Sequence, residues 1–184
     1  MTAKQDFDLV EDFRQGDVEG FNELVRRYQE KIYWVCRRIV GTHEDADDVV
    51  QDVFIRVYDR LKDFRAESEF YTWLYRIATN ASLNALRKKR LKELVRFDEL
   101  YEELLPGDDQ TDGSMLQQEV RTVLERAIDR LPPKQKLVFV MRYYDELTYE
   151  EMARILKKSV GGLKANYFHA LKKIQEYVQR EMKS

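Results

Sequence analysis

The chain has 184 residues, 32 Lys+Arg against 34 Asp+Glu for a net charge of −2, 43% hydrophobic residues and 36% charged ones. That balance describes a water-compatible chain able to bury apolar cores, and the length accommodates one compact domain or two small ones. A single cysteine, Cys36, excludes a disulfide scaffold, two histidines leave no Cys/His cluster for structural zinc, and no apolar run approaches the roughly 18 residues of a membrane helix.

Seven Gly and three Pro leave little material for turns and point to long helices. The acidic N-terminal stretch, Met1 to Phe13, lacks the basic-then-apolar order of a signal peptide, so a cytoplasmic chain without membrane insertion is expected. A first helix is predicted from Asp6 to Gln15, followed by Gly16 and by Asp17 as the cap of the second. In that second helix Phe21, Leu24, Val25, Tyr28, Ile32, Val35, Cys36 and Ile39 recur at steps of three and four, the mark of an amphipathic helix. It is expected to stop at Gly41, with Thr42 and Asp45 as the next N-cap pair. A third helix should run to about Phe64, on a stripe of Val49, Val50, Val53, Phe54, Val57 and Leu61. A fourth should begin after Ser68 and reach about Lys92, past the basic run Arg87-Lys88-Lys89-Arg90.

Periodicity fades between Asp98 and Gly113, where Pro106-Gly107-Asp108-Asp109 supplies turn chemistry, and residues 98–113 read as an acidic flexible linker. Helical signal returns at Ser114, with Gln117 completing a possible capping box. Pro132-Pro133 breaks that helix and opens another over Lys134 to Tyr144. Thr148-Tyr149-Glu150-Glu151 is a second capping box, for a short helix ending at Leu156. After Lys157-Lys158, Ser159 caps a final helix whose stripe is Val160, Leu163, Tyr167, Leu171, Ile174 and Val178. The fold expected is all-α: an N-terminal helical bundle over 1–97, the linker 98–113, and a C-terminal helix-turn-helix four-helix domain over 114–184.

Charge is segregated along this plan. Residues 64–97 hold 8 basic groups and 3 acids, and residues 120–184 hold 14 and 8, whereas residues 98–119 hold 8 acids and no Lys or Arg. Two basic segments flanking an anionic one suggest a polyanionic partner, although solvated basic faces on helices have the same composition.

Three stretches carry candidate chemistry. The short capped helix, turn and longer helix at the C-terminus match a DNA-reading helix-turn-helix, or else an ordinary helical hairpin. Its second helix leaves Lys164, Ala165, Asn166, Phe168, His169, Lys172 and Lys173 off the apolar stripe, with lysines suited to phosphates and Asn166 to a base edge. Gly161-Gly162 weaken that helix by about 2 kcal/mol relative to two alanines, tolerable where backbone approaches phosphate. In the fourth helix, Tyr71 and Tyr75 share a face beside Arg76, Asn80, Asn84 and Arg87, a pattern suited to unstacked bases or to one aromatic core face with a wet back. Phe70, Leu74, Ile77 and Ala81 read as core there, and Trp73 reads as core more readily than as a DNA contact. The acid-rich run His43-Glu44-Asp45-Ala46-Asp47-Asp48 with Gln51-Asp52 offers carboxylates that could converge on a cation or serve the helix dipole, and an acid-and-amide face that could dock on a basic protein surface. No catalytic constellation and no cofactor motif emerges, so no enzyme is expected.

Together these residues resemble the extracytoplasmic-function (ECF) sigma factors of bacterial RNA polymerase. The string Asp45-Ala46-Asp47-Asp48-Val49-Val50-Gln51-Asp52-Val53-Phe54 is similar to that family's polymerase-docking signature. Phe64-Arg65 with Phe70 through Asn80, then Asn84 and Arg87, resembles its −10 segment, and Leu131-Pro132, Gln135 and Thr148 through Lys164 resemble its −35-reading helix-turn-helix. The resemblance implies that Asp48, Gln51, Asp52 and Phe54 contact core polymerase. It implies that Phe64, Arg65, Phe70 and Tyr71 form a base-capturing loop, and that Tyr75, Arg76, Asn80, Asn84 and Arg87 complete the −10 site. It implies a −35 site of Ser159, Gly161, Gly162, Lys164, Asn166, His169, Lys172 and Lys173. Core RNA polymerase, promoter DNA and an anti-sigma factor are the implied partners, and promoter melting the implied activity. Gly161-Gly162-Leu163-Lys164-Ala165-Asn166 stands where the family commonly has Gly-Thr-Val-Lys-Ser-Arg, a departure that bears on the −35 sequence read rather than on the activity. The other reading open to the sequence is a free-standing helix-turn-helix regulator that binds duplex DNA unaided.

Overall fold

The computed structural model describes residues 4–95 and 115–182, and among these every regular element is a helix. In chain order they are α1 (Asp6–Arg14), α2 (Val18–Val40), α3 (His43–Arg60), a 3-10 turn (Leu61–Asp63), α4 (Phe70–Val95), α5 (Met115–Asp129), α6 (Pro133–Tyr143), α7 (Tyr149–Leu156) and α8 (Val160–Glu181). The protein is all-α. Its Cα packing divides it into two compact units, residues 1–85 and 86–184, with the division inside α4. The expected linker, 98–113, and Ser114 of the expected capping box lie outside the described residues.

The N-terminal unit forms because the predicted boundaries carry the right end groups. The Asp17 carboxylate accepts from the Glu19 N–H at 2.9 Å, satisfying a donor that the first turn of α2 leaves without a partner. Gly41 closes α2 at φ 98°, a left-handed conformation that a side chain would oppose, and its N–H reaches the Arg37 carbonyl. Thr42 then accepts from the Asp45 N–H to open α3. Leu9, Val10 and Phe13 of α1, Leu24, Ile32, Cys36 and Val40 of α2, Ala46, Val49, Val53 and Val57 of α3, and Phe70, Leu74 and Ala78 of α4 bury one contiguous core. α1 approaches α2 closely enough that a Cβ on Gly20 would stand 2.3 Å from the Leu9 carbonyl oxygen.

α3 stops at Arg60, earlier than the expected Phe64. The chain tightens there into the 3-10 turn, and the Arg14 guanidinium of α1 satisfies the carbonyls of Lys62, at 3.1 Å, and of Phe64. Helical carbonyl partners are thus replaced by an arginine from some fifty residues earlier, which periodicity within the segment does not reveal.

In the C-terminal unit α8 packs against α5, α6 and α7, and α6 is buried through its middle. Lys136, Leu137, Val138, Phe139, Val140 and Met141 are all buried, a run longer than one turn and therefore enclosed on every side, with Lys136 its one charged member. Pro133 occupies the first helical position of α6, where its missing N–H costs nothing. Ala127, Ile128 and Leu131 pack with Phe139 and with Ala170, Ile174 and Tyr177 of α8. Lys136 is 2% exposed, and its ammonium meets the Asp129 carboxylate at 2.7 Å, the burial pushing the lysine below its ordinary range.

Candidate polymerase and nucleic-acid interfaces

α3 buries Ala46, Val49, Val53 and Val57, and so turns Asp48, Gln51 and Asp52 to solvent on its opposite side. Phe54 is half-buried against the edge of the core. Ile55, 54% exposed, lies one turn on from Gln51 and Asp52 and was not among the expected site residues. Its position seven after Asp48 was the available signal. An apolar side chain set among acids and an amide is chemistry for a protein partner more than for a cation. Among the described residues no group of three or more His, Cys, Asp or Glu is arranged to hold a metal ion.

The Phe64–Tyr71 segment and α4 form a second surface. Phe64 and Phe70 are buried, edge to face at 5.7 Å, and half-buried Trp73 packs against both. Arg65 is exposed, and Ala66 turns the chain at φ 53°. Arg76 is half-buried while Asn80, Asn84 and Arg87 are exposed, and steps of four, four and three keep all four on one face of α4. The expectation that Tyr71 and Tyr75 form an exposed aromatic pair needs correction. Tyr75 is only 3% exposed and Tyr71 is half-buried. α4 buries a wider arc than its apolar residues outline, because Thr79 and Ser82 are buried as well. Their hydroxyls donate back to the carbonyls of Tyr75 and Ala78, each at 2.9 Å, which lets polar side chains enter the interior. Tyr71 stacks on Tyr28 of α2, with centroids 5.6 Å apart and planes at 28°. The Tyr28 hydroxyl donates to Asp6, and burial raises its phenol above the ordinary range.

The third surface is the α7–α8 pair. Thr148 accepts from the Glu151 N–H at 3.2 Å, and the Glu151 carboxylate accepts from the Thr148 N–H at 2.7 Å. These contacts form the expected capping box, and the Thr148 hydroxyl, donating to the same carboxylate at 2.7 Å, together with the Thr148 N–H holds the Glu151 carboxyl below the usual range. Lys157, at φ 52°, ends α7, and Ser159 accepts from the Gly162 N–H to start α8. α8 buries Leu163, Ala170, Ile174 and Tyr177, and it exposes Gly161, Gly162, Lys164, Ala165, Phe168, His169, Lys172 and Lys173. Asn166 departs from expectation: it is half-buried, and its amide donates to the Gly162 carbonyl at 2.7 Å, so that donor is spent within the helix. The Lys164 ammonium and the Arg142 guanidinium each lie 5.6 Å from the Tyr149 ring centroid, and Arg142 also donates to the Leu147 carbonyl at 3.1 Å. Sequence reasoning did not single out Arg142, because nothing in its spacing connects α6 to the α7 cap.

Against known proteins, residues 24–92 match the family model described as Sigma-70 region 2, and residues 121–174 match Sigma-70, region 4. The RNA polymerase sigma-H factor of Pseudomonas aeruginosa is 33% identical over 186 residues, spanning 97% of this chain and 96% of its own. The ECF RNA polymerase sigma-E factor of Escherichia coli K12 is 37% identical over 178 residues, 93% of each chain. The chain belongs to the ECF family of RNA polymerase sigma factors. Among solved structures, the sigma factor RpoE in complex with the anti-sigma factor NepR from Bartonella quintana superposes with a TM-score of 0.66 at 20% identity, over 88% of this chain and 98% of that one, a likeness of fold. The sigma factor described here is thus an alternative sigma factor of transcription initiation. A free-standing regulator is not favoured, since the N-terminal residues match a sigma region. No helix among its described residues is long and apolar enough to cross a membrane.

Proposed function

We propose that residues 1–97 of this sigma factor bind core RNA polymerase and the −10 element, that residues 114–184 bind the −35 element, and that residues 98–113 tether the two. The observation that carries this reading is the order of two sigma regions in one chain, the first spanning the α3 and α4 faces and the second the α7–α8 pair. Asp48, Gln51 and Asp52, with Phe54 at the margin and Ile55 one turn on, form the polymerase-docking face. Arg65, Tyr71, Arg76, Asn80, Asn84 and Arg87 meet the −10 strand and the duplex edge. Buried Phe64, Phe70 and Tyr75 form the floor beneath them rather than a stacking surface. On α8, Lys164, Lys172 and Lys173 neutralise phosphates, His169 and Asn166 face base edges, and Ser159, Gly161 and Gly162 bring backbone close to the strand. One N–H of the Asn166 amide stays on the Gly162 carbonyl, which leaves its second N–H and its Oδ1 for a base edge.

Melting in this reading exchanges base stacking for contacts on α4 and in the loop, each stacked base contributing ~1–3 kcal/mol, so no nucleotide hydrolysis is needed and the chain is not an enzyme. It works in the cytoplasm, alongside the polymerase and without a cofactor. An anti-sigma factor covering these same faces is the partner proposed for its silent state; the Bartonella quintana protein is itself in complex with an anti-sigma factor, NepR. Run-off transcription with purified core polymerase, with and without the chain, over a genomic promoter library tests the proposal. Promoter-specific transcripts that require the chain are expected. Their absence, or tight duplex binding by the chain without polymerase, would overturn it.

A further inference from the structure

Lys31 belongs to none of the three faces assigned above. It lies on α2, three residues after Tyr28, and is exposed. Its ammonium sits 5.9 Å from the Tyr28 ring centroid and 6.0 Å from that of Tyr71, the two rings being stacked on each other across α2 and α4. Among the described residues it has no carboxylate partner. Asp6, the acid that contacts this aromatic pair, is already engaged by the Tyr28 hydroxyl and, at 2.9 Å, by Arg27.

We propose that Lys31 binds a backbone phosphate of the nontemplate strand beside the base held at Tyr71, extending the −10 site from α4 onto α2. The inference rests on the reading that α4 carries the −10 contact. A lysine normally loses much rotamer freedom when it binds an anion. Here the two rings already hold the ammonium by cation–π attraction at the first turn of α4, where the loop from Phe64 enters the helix, and the side of the ammonium away from the rings stays open to an anion. A base at Tyr71 has its phosphate within one nucleotide of that position, and the absence of a competing carboxylate leaves the full charge for it. Lys31 carries no base information in this role. It contributes affinity that is independent of sequence and sensitive to salt.

The test uses holoenzyme assembled from core polymerase and the full chain, with a labelled single-stranded −10 nontemplate oligonucleotide titrated across a salt series. For Lys31→Ala the slope of log Kobs against log salt should become shallower by the ~0.7 that one phosphate contact on a single strand contributes. Lys31→Arg should keep the wild-type slope, and both variants should join core polymerase as the wild type does. An unchanged slope in Lys31→Ala overturns this inference alone. Loss of polymerase assembly in Lys31→Ala also overturns it, placing Lys31 in docking. A wild-type holoenzyme that holds the −10 strand no better than a scrambled one overturns the −10 reading, and this inference with it.

Discussion

Cys36 lies fully buried in the α2 stripe, and burial pushes its thiol up to about 11. The thiolate is the reactive form, so near neutral pH the folded chain should not react with a thiol-specific disulfide reagent, while the unfolded chain releases one equivalent at once. Prompt modification without denaturant would contradict that burial. Lys136 is the other interior group with a measurable consequence. Its folded-state pKa lies below the ordinary lysine value, so the unfolded chain holds that proton more tightly. Stability should therefore rise as pH climbs through the alkaline window toward ~10.4. Lys136→Met removes the cost of burying the charge and leaves Asp129, whose side chain is 46% exposed, free to hydrate. Urea unfolding should find this variant as stable as the wild type or more so. Asp129→Asn strands the buried ammonium and should cost about 3 kcal/mol, the low end for breaking such a pair because the ammonium can shed its proton. Equal losses from the two variants would show that the pair acts as a simple bond.

Among the elements, caps and stripes were legible in the sequence because each is a local pattern read by a local force. Asp17, Thr42, Thr148 and Ser159 cap the helices for which they were expected, and the stripes of α2 and α3 face the core. What stayed hidden depends on one arginine distant in sequence and on side-chain bonds to the backbone one turn away, which an apolar stripe does not record. The early end of α3 needs Arg14, the burial of Tyr75 needs Thr79 and Ser82 to satisfy their own hydroxyls, and the Asn166 amide spends one of its two N–H groups on the Gly162 carbonyl. Gly161 in α8 shows how a departure from helix propensity can be read. A Cβ there would have no heavy atom within 4 Å, so the fold does not demand glycine, whereas at Gly162 it would press on the Ser159 hydroxyl at 3.1 Å. Gly161→Ala should therefore raise the stability of the C-terminal unit by about 0.5–1 kcal/mol. If the missing Cβ serves approach to phosphate, the same variant should weaken holoenzyme binding to −35 duplex. A gain in stability with unchanged DNA binding would remove Gly161 from the −35 site.

For the whole molecule, the segregated charge explains more than the net value. A total of −2 gives little attraction for a polyanion, yet residues 64–97 and 120–184, the segments proposed for the −10 and −35 elements, are each net basic, and residues 98–119 hold acids alone. Few phosphates neutralised means weak, salt-sensitive binding by the free chain, so in the proposed reading promoter affinity comes from attachment to polymerase through the acidic face of α3. Asp48 tests that dependence cleanly, because it is exposed and lies opposite the buried stripe of its helix. Asp48→Lys should leave helical circular dichroism and the melting curve unchanged while weakening holoenzyme assembly by more than about tenfold, since like charges forced together across an interface cost several kcal/mol. Promoter binding should fall with assembly and not separately from it, as no DNA-facing residue is altered. A variant that still assembles normally would remove the α3 face from polymerase docking. One that loses DNA binding without losing polymerase would show that the chain reads its promoter as an independent binder.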